Sequence, residues 1–358
     1  MTTEWTTIVN STTAKYLREV EVNIMRERRL LDLLRRKGRI VYNDSGRNLD
    51  WKIEYKRAPL TTFVDGDTVT FARRDRYKTA TLDWRAYILT DLMSKADRLK
   101  NRSKEAIINL YAEITEQMVE NLNEQFCDEL YANGVSNTRR IHGVESFMSD
   151  GGAGGSFARL SNSTYAGLVC TRGNYGGTWT GNWPDGYGDS QYDFWSPLLI
   201  DYTNTAWGGA THTWATHGAD AMRYGIIKSR KFKSKKGMMD LILVTDEMYR
   251  QFIGTQDSLQ QINVNRGSGG APGDVSLGFS SNSIWYDGVE VGWEFGIASE
   301  VGYGFNASQM ELRSQQGALF EPNGPVFNEE TQTYRFMIDF YGNLRCNPRS
   351  FMKLDSYS

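Results

Sequence analysis

The residues whose types could support chemistry are few in this chain, and their spacing argues against a metal centre. There are three histidines, His142, His212 and His217. The last two are five positions apart, a spacing that does not place them on one helix face as the HExxH motif does. No carboxylate or cysteine accompanies them at ligand spacing. We therefore expect no metal site, and histidines that are exposed or hydrogen-bonded in loops.

The other motifs of enzymes are also missing from the sequence. The glycine-rich stretch RGSGGAPGD at 266–274 lacks the lysine of a phosphate-binding loop, and a proline falls where GxGxxG needs its last glycine. No GxSxG elbow occurs, and no cysteine lies in a recognisable nucleophile setting. Pairs of acidic residues arise by chance among 43 carboxylates. We expect no catalytic residue, no cofactor and no enzymatic activity.

A segment rich in tryptophan and tyrosine, from 165 to 214, leaves two interpretations open. Its rings could form a platform that stacks on sugars, or they could anchor a subdomain or a subunit contact, since large aromatics bury about 150–250 Å² each. We favour the second because the tryptophan spacing is irregular. The aromatic residues concerned are Trp179, Trp183, Trp195, Trp207, Trp214, Tyr175, Tyr187, Tyr192 and Tyr202.

Composition narrows the class of protein further. The formal net charge of −2 over 358 residues argues against binding nucleic acid by charge. Three widely separated cysteines, Cys127, Cys170 and Cys346, form no disulfide framework and no CxxC metal motif, which indicates a reducing compartment. No secretory signal is apparent within residues 1–30, and no apolar run approaches a membrane span. We expect synthesis in the cytosol and no association with a membrane.

Two helices are predicted in the first third of the chain. Apolar residues at i, i+3, i+4 and i+7 spacing predict a long amphipathic helix from Ser103 to Tyr131, ended by Asn133 and Gly134. An earlier helix is predicted from about Thr13 to Lys37, with Gly38 as its stop. This earlier segment is basic, and either a solvated helix face or a contact with nucleic acid or an acidic partner would explain that charge.

Between these helices the sequence predicts a long two-stranded ribbon. Leu49 to Tyr55 alternates apolar and charged residues with a period of two, a turn follows at Asp65–Asp67, and a return runs through Thr68–Phe71 to Tyr77–Trp84. The basic residues after the turn are predicted to lie on the return strand: Arg73, Arg74, Arg76 and Lys78. An isolated two-stranded ribbon is marginally stable in water. The ribbon is therefore predicted to lie against another element or another subunit.

Later segments predict further short elements. A helix is predicted near Asp193 and another over Thr216–Lys228. A buried strand, Asp240–Val244, precedes a helix that Thr245 caps, and a hairpin over Ser283–Phe295 turns at Asp287-Gly288. Because strands dominate after residue 235 without a βαβ rhythm, the predicted class is α+β with antiparallel pairing.

Taken in order, several segments resemble those of tailed-phage major capsid proteins with the Hong Kong 97 fold. GRNLDWKIEYKRAPLTTFVDGD with RYKTATLDWRAYILT resembles the extended loop and its return, and NRSKEAIINLYAEITEQMVENLNEQFCDELYANG resembles the long spine helix. RIHGVESFMSDGG and YAGLVCTRGNYGGTWTGNW resemble the exit into the axial domain. MMDLILVTDEMYRQF, SLGFSSNSIWYDGVEVGWE and GYGFNASQMELR resemble later strands of the family.

This resemblance implies an architecture. The expected fold is α+β, of the Hong Kong 97 capsid type, with an N-terminal arm, an extended loop hairpin, a peripheral domain holding the spine helix, and an axial domain. The predicted divisions are residues 1–45 for the arm, 46–84 for the extended loop, 85–145 for the peripheral domain, 146–325 for the axial domain with parts of the peripheral sheet, and 326–358 for a C-terminal return to the peripheral domain.

The resemblance also implies a function. The chain would form hexamers and pentamers of an icosahedral shell around packaged double-stranded DNA, in the virion, after assembly in the host bacterial cytoplasm. Its partners would be further copies of itself, a scaffolding protein, a portal and decoration proteins. The expected intersubunit residues lie on the extended loop: Trp51, Lys52, Glu54, Lys56, Arg57, Arg73, Arg74 and Arg76.

Some features of the family do not carry over, and two other functions stay open. We expect no long scaffolding segment before the arm, so scaffolding would be a separate protein or already removed. Some relatives cross-link through a lysine and an asparagine, and Lys52 and Lys56 match only by position. The same fold would also suit an encapsulin-type nanocompartment. A carbohydrate-binding, tail-associated protein that uses the Trp/Tyr-rich loops is the alternative from another class.

Overall fold

The computed structural model describes residues 29–54, 60–68, 71, 73, 76–100, 114, 117–118, 121–122, 125–126, 128–149, 158–159, 163–170, 195–230, 238–257 and 283–356. Within these ranges no helix has the length and apolar character needed to cross a bilayer. The described residues form two separate sheets with helices packed on them, and a two-stranded ribbon.

The first sheet has four strands and brings together distant parts of the chain. Its order is β1 (Ile40–Asp44), β13 (Met310–Asn328), β14 (Thr333–Cys346) and β4 (Arg85–Ser94). Strand β1 pairs in parallel with β13, whereas β13 with β14 and β14 with β4 are antiparallel. The two long central strands therefore hold an early strand on each side.

The predicted long helix packs on this sheet. Positions 114, 117–118, 121–122, 125–126 and 128–131 are helical, and the helix ends at Tyr131 as predicted. Its predicted apolar stripe is confirmed where it is described, because Met118, Leu122, Phe126 and Leu130 are buried. The Phe126 ring meets the rings of Phe320 and Phe340 edge-on, each at 5.0 Å between centroids. Residues 103–113 of the prediction lie outside the described residues.

A tight crossing follows the long helix. A Cβ on Gly143 would lie 2.5 Å from the carbonyl oxygen of Leu130 and 2.6 Å from that of Ala132, so only glycine allows the backbone to pass this closely. The chain then forms a short 3-10 helix, Val144–Phe147, in which Val144, Ser146 and Phe147 are buried. This close crossing packs the segment that follows the long helix against the core.

The second sheet has seven strands. Its order is β10-β11-β9-β12-β15-β8-β5, in which the strands along the chain are β5 (Ala158–Arg159), β8 (Leu198–Asp201), β9 (Leu241–Val244), β10 (Ser283–Tyr286), β11 (Val289–Trp293), β12 (Gly302–Phe305) and β15 (Met352–Asp355). Helices α3 (Trp214–Arg230) and α4 (Asp246–Asp257) pack together with this sheet around a second apolar cluster. Strands β8 and β9 are buried at every position, as expected for central strands.

Several predicted elements are confirmed. The first helix, α1, spans Arg29–Arg36 and ends before Gly38, whose φ of +63° is the left-handed stop that glycine favours. Residues 13–28 of that prediction lie outside the described residues. The predicted hairpin turn at Asp287-Gly288 is present, with φ values of 47° and 80°. The predicted cap by Thr245 is also present, because its hydroxyl accepts a hydrogen bond from the backbone N–H of Met248 at 3.4 Å. The short helix α2, Lys95–Lys100, follows β4.

Two predictions about the fold are wrong. Residues 198–201 form strand β8 where a helix beginning near Asp193 was predicted. Pairing is mixed, because β1–β13, β9–β11 and β8–β15 are parallel. Each error concerns a pairing between distant segments, which periodicity along the chain does not encode.

Candidate assembly surface

The predicted ribbon is present as a regular antiparallel pair. Strand β2 (Asn48–Glu54) pairs with β3 (Tyr77–Asp83) in one register from Asn48 opposite Asp83 to Glu54 opposite Tyr77. The turn at its far end is closed by the backbone N–H of Asp67, which donates to the Val64 carbonyl oxygen at 3.0 Å. Over these paired residues the ribbon is a regular two-stranded element with no shift of register.

The two faces of the ribbon differ in the way that the sequence predicted. Leu49 and Trp51 are buried on one face, and their partners across the ribbon, Leu82 and Ala80, are buried with them. The other face carries exposed charge, including Lys52. One face of the ribbon is thus covered by the rest of the chain and the other faces solvent.

Trp51 fastens the ribbon to the body of the chain. Its indole Nε1–H donates to Oδ1 of Asn347 at 3.0 Å, and the guanidinium carbon of Arg345 lies 5.0 Å from the centroid of its ring. The rings of Tyr165 and Trp195 lie 6.5 and 6.3 Å away, between centroids. Because the indole is enclosed by aromatic rings and its N–H is paired, the base of the ribbon is fixed.

Tyr165 links this cluster to strand β14. It is the last residue of the two-residue strand β6 (Thr164–Tyr165), which pairs with β7 (Leu168–Val169). Its hydroxyl donates to the carbonyl oxygen of Leu344 at 2.8 Å and accepts from the backbone N–H of Cys346 at 2.9 Å. Burial raises the pKa of this phenol well above its ordinary value.

A network of charges lies next to this base. Glu311 accepts hydrogen bonds from Arg39 at 3.0 Å, from Arg313 at 2.8 and 3.0 Å, and from Arg345 at 2.9 Å. Arg313 also donates to Asp44 at 2.9 Å. Burial alone would raise the pKa of the Glu311 carboxyl, but the three guanidinium groups hold it below its ordinary value. The Glu311 carboxylate on β13 therefore connects Arg39, just before β1, to Arg345 on β14. Arg345 in turn contacts Trp51 at the ribbon base.

The far end of the ribbon exposes large apolar side chains. Leu60 and Phe71 are almost fully exposed, and Phe63 and Val64 are more than half exposed. Four large apolar side chains exposed within twelve positions indicate a contact surface more than a single exposed one would. The sequence pattern predicted Phe71 in the return of the ribbon and gave Leu60, Phe63 and Val64 no role, although the letters LTTFV before Asp65 were a signal that this segment would be apolar.

The predicted intersubunit residues fall into four groups. Lys52 and Glu54 lie on the exposed face of β2, in agreement with a surface role. Trp51 is buried within its own chain, so in this conformation its indole is not available for a contact with another subunit. Arg73 and Arg76 are exposed but precede β3, so their assignment to the return strand was wrong. Lys56, Arg57 and Arg74 lie outside the described residues.

A second set of polar contacts fixes the exit of the long helix on the edge strand β4. The Tyr87 hydroxyl donates to Glu129 at 2.6 Å and accepts from the backbone N–H of Ile141 at 2.8 Å. Arg140 pairs with the same carboxylate at 2.7 Å. A cavity of about 180 Å³ lies beside these groups, lined largely by the apolar side chains of the helix and sheet. Burial, followed by the charge of Arg85, lowers the pKa of the adjacent His142 to about 4.

Of the aromatic residues of the predicted sugar platform that the structure describes, three are buried and Trp207 is half-buried. Trp195, Trp214 and Tyr202 are buried, and Trp207 is packed against the second apolar cluster. A ring in the core presents no face to a saccharide. The remaining members of that set lie outside the described residues.

Comparison with known proteins bears on this architecture. No protein-family model matches the chain, and no curated protein matches it in sequence. Among solved structures, it is similar to a subunit of the cyanophage A-1(L) capsid asymmetric unit, with 13% identity, 88% of this chain and 90% of that chain covered, and a TM-score of 0.54. It is also similar to the capsid of an empty GTA particle, with 8% identity, coverages of 90% and 96%, and a TM-score of 0.52.

The chain has the fold of phage capsid proteins. The Hong Kong 97-type class expected from the sequence is thus confirmed at the level of the overall fold. The likeness extends along about nine tenths of both chains. The assignment of the ribbon to the extended loop, and the division of the chain into arm, peripheral and axial parts, stay predictions.

Proposed function

We propose that this chain is the major capsid protein of a tailed phage, a structural coat protein without catalytic activity. It self-assembles as hexamers and pentamers into an icosahedral shell that encloses the genome. The observation that carries the proposal is the likeness to capsid subunits over about nine tenths of both chains. A fold alone does not define a function, so the surfaces of this chain have to supply further support.

The ribbon supplies that support. Its base is fixed by buried contacts, whereas its far end exposes Leu60, Phe63, Val64 and Phe71. An exposed apolar group on an extended two-stranded element is a liability for a monomer, because such elements promote association. In a shell this end would lie on a neighbouring subunit, and the association would be the function.

The charged face of the ribbon suits the same role. Lys52 and Glu54 are exposed on one face of β2 with opposite signs. Charges of this kind set register and association rate more than affinity. A shell closes correctly when many modest contacts add up, because modest contacts let a misplaced subunit dissociate.

The near-neutral charge of the chain fits a coat that encloses DNA without reading it. Sequence-independent binding to phosphates requires many exposed cations, and the formal net charge here is −2. We propose the virion capsid as the location, with assembly in the host cytoplasm. The partners would be further copies of the chain, a scaffolding protein, a portal, decoration proteins and packaged double-stranded DNA.

The proposed domains follow the same division. Residues 1–45 would be the arm, 46–84 the extended loop, 85–145 the peripheral domain and 146–325 the axial domain. The C-terminal part, 326–358, would return to the peripheral domain. Its strands are β14, in the four-stranded sheet, and β15, in the seven-stranded sheet.

Expression of the chain, alone and with its neighbouring reading frames, followed by negative-stain electron microscopy, tests the proposal. Closed shells or capsomer rings are the expected result. Shells from uninfected cells that contain a cargo protein and no nucleic acid would favour the encapsulin-type alternative. A uniform monomer in every co-expression would overturn the assembly proposal.

Charge variants of the ribbon sharpen this test. Lys52→Glu combined with Lys56→Glu is expected to reduce particle yield while leaving the circular dichroism spectrum and the thermal midpoint of the subunit unchanged. Lys52→Glu with Glu54→Lys inverts the pattern on β2 at constant net charge, so its defect would report register and not overall charge. Lys52→Arg keeps the charge and is the matched control. Unchanged yield in both reversals would remove the ribbon from the intersubunit contacts.

A further inference from the structure

The cavity beside the exit of the long helix lies between that helix and the four-stranded sheet. Its helical wall is formed by Leu122, Gln125, Phe126 and Glu129, whose spacing of three and four positions places them on one face of the helix. Strands β4, β13 and β14 form the opposite wall. Strand β4 is at the edge of its sheet, so the cavity is at the margin of the helix–sheet interface and not at its centre.

Four aromatic rings form much of the wall of this cavity. The rings of Phe320 and Phe340 are stacked, with centroids 5.4 Å apart and an interplanar angle of 27°. Phe126 meets both of them edge-on, and the ring of Tyr87 lies 6.2 Å from that of Phe340. Because each ring is held by contacts with another, the wall is already arranged to receive a further ring.

One of these rings is carried by a strained backbone. Phe320 has a φ of +51°, a conformation that bulky residues rarely adopt. The register between β13 and β14 shifts on both sides of Leu319, the residue before it. Strain of this kind costs free energy and is found preferentially at binding sites, where it places a particular side chain. Here it holds a buried ring in the cavity wall.

A carboxylate provides the polar part of the lining. Glu129 accepts a hydrogen bond from the Tyr87 hydroxyl at 2.6 Å and one from the guanidinium group of Arg140 at 2.7 Å. A carboxylate can accept about four hydrogen bonds, so it retains capacity for a donor from a ligand. Arg140 already balances its charge, and a neutral donor therefore suits the site better than a cation.

The size of the cavity limits the ligand to about one ring. An apolar cavity of about 150 Å³ in another protein binds benzene, and the volume here is about 180 Å³. Sites for drug-sized molecules are larger, from about 300 Å³ upward. The lining includes two exposed residues, Gln125 on the helix and Ile88 on β4, so the cavity reaches the surface between these two elements and a small molecule can enter.

We propose that this cavity binds a neutral aromatic molecule of one ring that carries a hydroxyl group, of which phenol is the simplest. The ring packs against Phe126, Phe320 and Phe340, and the hydroxyl donates to Glu129. A molecule in this position contacts the long helix and the edge strand together, so its binding stabilises the folded subunit. The inference does not depend on the proposed function in a shell.

Calorimetric titration of the full chain with phenol tests the site, with benzoate as the negative control. One phenol per chain and a higher thermal midpoint are expected, whereas the charge of benzoate is repelled by Glu129. Leu89→Phe places a larger side chain in the cavity and should weaken phenol binding about tenfold or more. Leu92→Phe is the matched control, because Leu92 lies on the same strand but is exposed outside the cavity, and binding should be unchanged.

The polar contact has a test of its own. Glu129→Gln keeps the shape of the side chain but replaces a charge-assisted hydrogen bond with a weaker one. Phenol binding should weaken about fivefold, while binding of toluene, which has the same shape and no donor, should stay unchanged. Equal weakening of both ligands would contradict the contact between the hydroxyl and Glu129.

Circular dichroism establishes that each variant is folded. Leu122→Phe, which fills the cavity from the helix, replaces Leu89→Phe if that variant does not fold. Absence of saturable phenol binding by the unmodified chain would overturn the proposal, as would undiminished binding by a folded cavity-filling variant. Benzoate binding as tight as that of phenol would overturn it as well. These results are read on the subunit, so they are independent of whether the chain forms shells.

Discussion

Glu311 offers a sharp test of how the ribbon base is stabilised. Glu311→Gln removes the one carboxylate that faces the guanidinium groups of Arg39, Arg313 and Arg345, and keeps the shape of the side chain. Three cations would then face one another with only Asp44 as a remaining anion in the network. The change should therefore destabilise the fold.

The magnitude follows from the exposure of the network. Removing one partner from a fully buried ion pair costs about 3–5 kcal/mol. The Glu311 side chain here is 18% exposed and its partners 20–28%, so water screens part of the interaction. We expect a loss of about 2 kcal/mol in the free energy of unfolding, between the value for a buried pair and the ~0–1 kcal/mol of a surface pair.

The stability difference caused by Glu311→Gln is also expected to change with pH in a definite direction. The pKa of Glu311 is lowered in the folded state, so its contribution is fully present above the ordinary carboxyl value of 4.5 and is lost as pH falls through the folded value. His142, whose pKa burial lowers to about 4, also destabilises the fold as pH falls below 6.5. The difference in free energy of unfolding between the unmodified chain and the Glu311→Gln variant, measured at each pH, isolates the contribution of Glu311. That difference should shrink in acid.

Denaturant unfolding followed by circular dichroism is the suitable assay, because Arg345 touches Trp51 and the substitution would alter tryptophan fluorescence directly. Glu247→Gln is the matched control. Glu247 also accepts two hydrogen bonds from an arginine, Arg250, at 2.6 and 3.1 Å, but the pair is exposed on α4. No measurable change is expected there. Equal effects of the two substitutions would refute the argument from burial.

Three further substitutions test other parts of the fold. Leu122→Asp places a carboxylate in the apolar stripe of the long helix and should prevent cooperative folding, whereas a folded variant with a sharp thermal transition would contradict the buried stripe. Gly143→Ala should destabilise by several kcal/mol, to be measured by thermal unfolding, because its Cβ would lie 2.5 Å from the Leu130 carbonyl oxygen. Tyr87→Phe leaves the backbone N–H of Ile141 unpaired and should cost about 1–3 kcal/mol in denaturant unfolding, and no loss would mean that water replaces the hydroxyl.

Local patterns predicted local structure well in this chain. The period of two in β2 predicted which face of the ribbon would be buried, and the Asp287-Gly288 pair predicted a tight hairpin that the φ values of 47° and 80° confirm. The helical ladder predicted the buried positions of the long helix as far as Leu130. These features depend on neighbours within one or two turns, so a single sequence contains the information that they need.

Features that depend on distant pairing could not be predicted. The parallel pairing of β1 with β13 joins Ile40 to Leu312, and nothing in either segment specifies the other. Periodicity showed that Trp51 lies on the apolar face, but not that its own chain would cover it. The Glu311 network likewise arises only after folding, because its members come from separate elements.

The two strands of the ribbon are close together in sequence, whereas the residue that holds the ribbon base is far away in sequence. This difference has a consequence for synthesis. Strands β2 and β3 pair within 36 residues, from Asn48 to Asp83, whereas the Asn347 that binds Trp51 lies 296 positions away from it. Local hairpins form in microseconds, while pairings between distant segments are slow. On the ribosome the ribbon would therefore form with Leu49 and Trp51 still uncovered. Nascent chains on one messenger would be vulnerable to premature association until residue 347 emerges, and chaperones are expected to protect this face during translation.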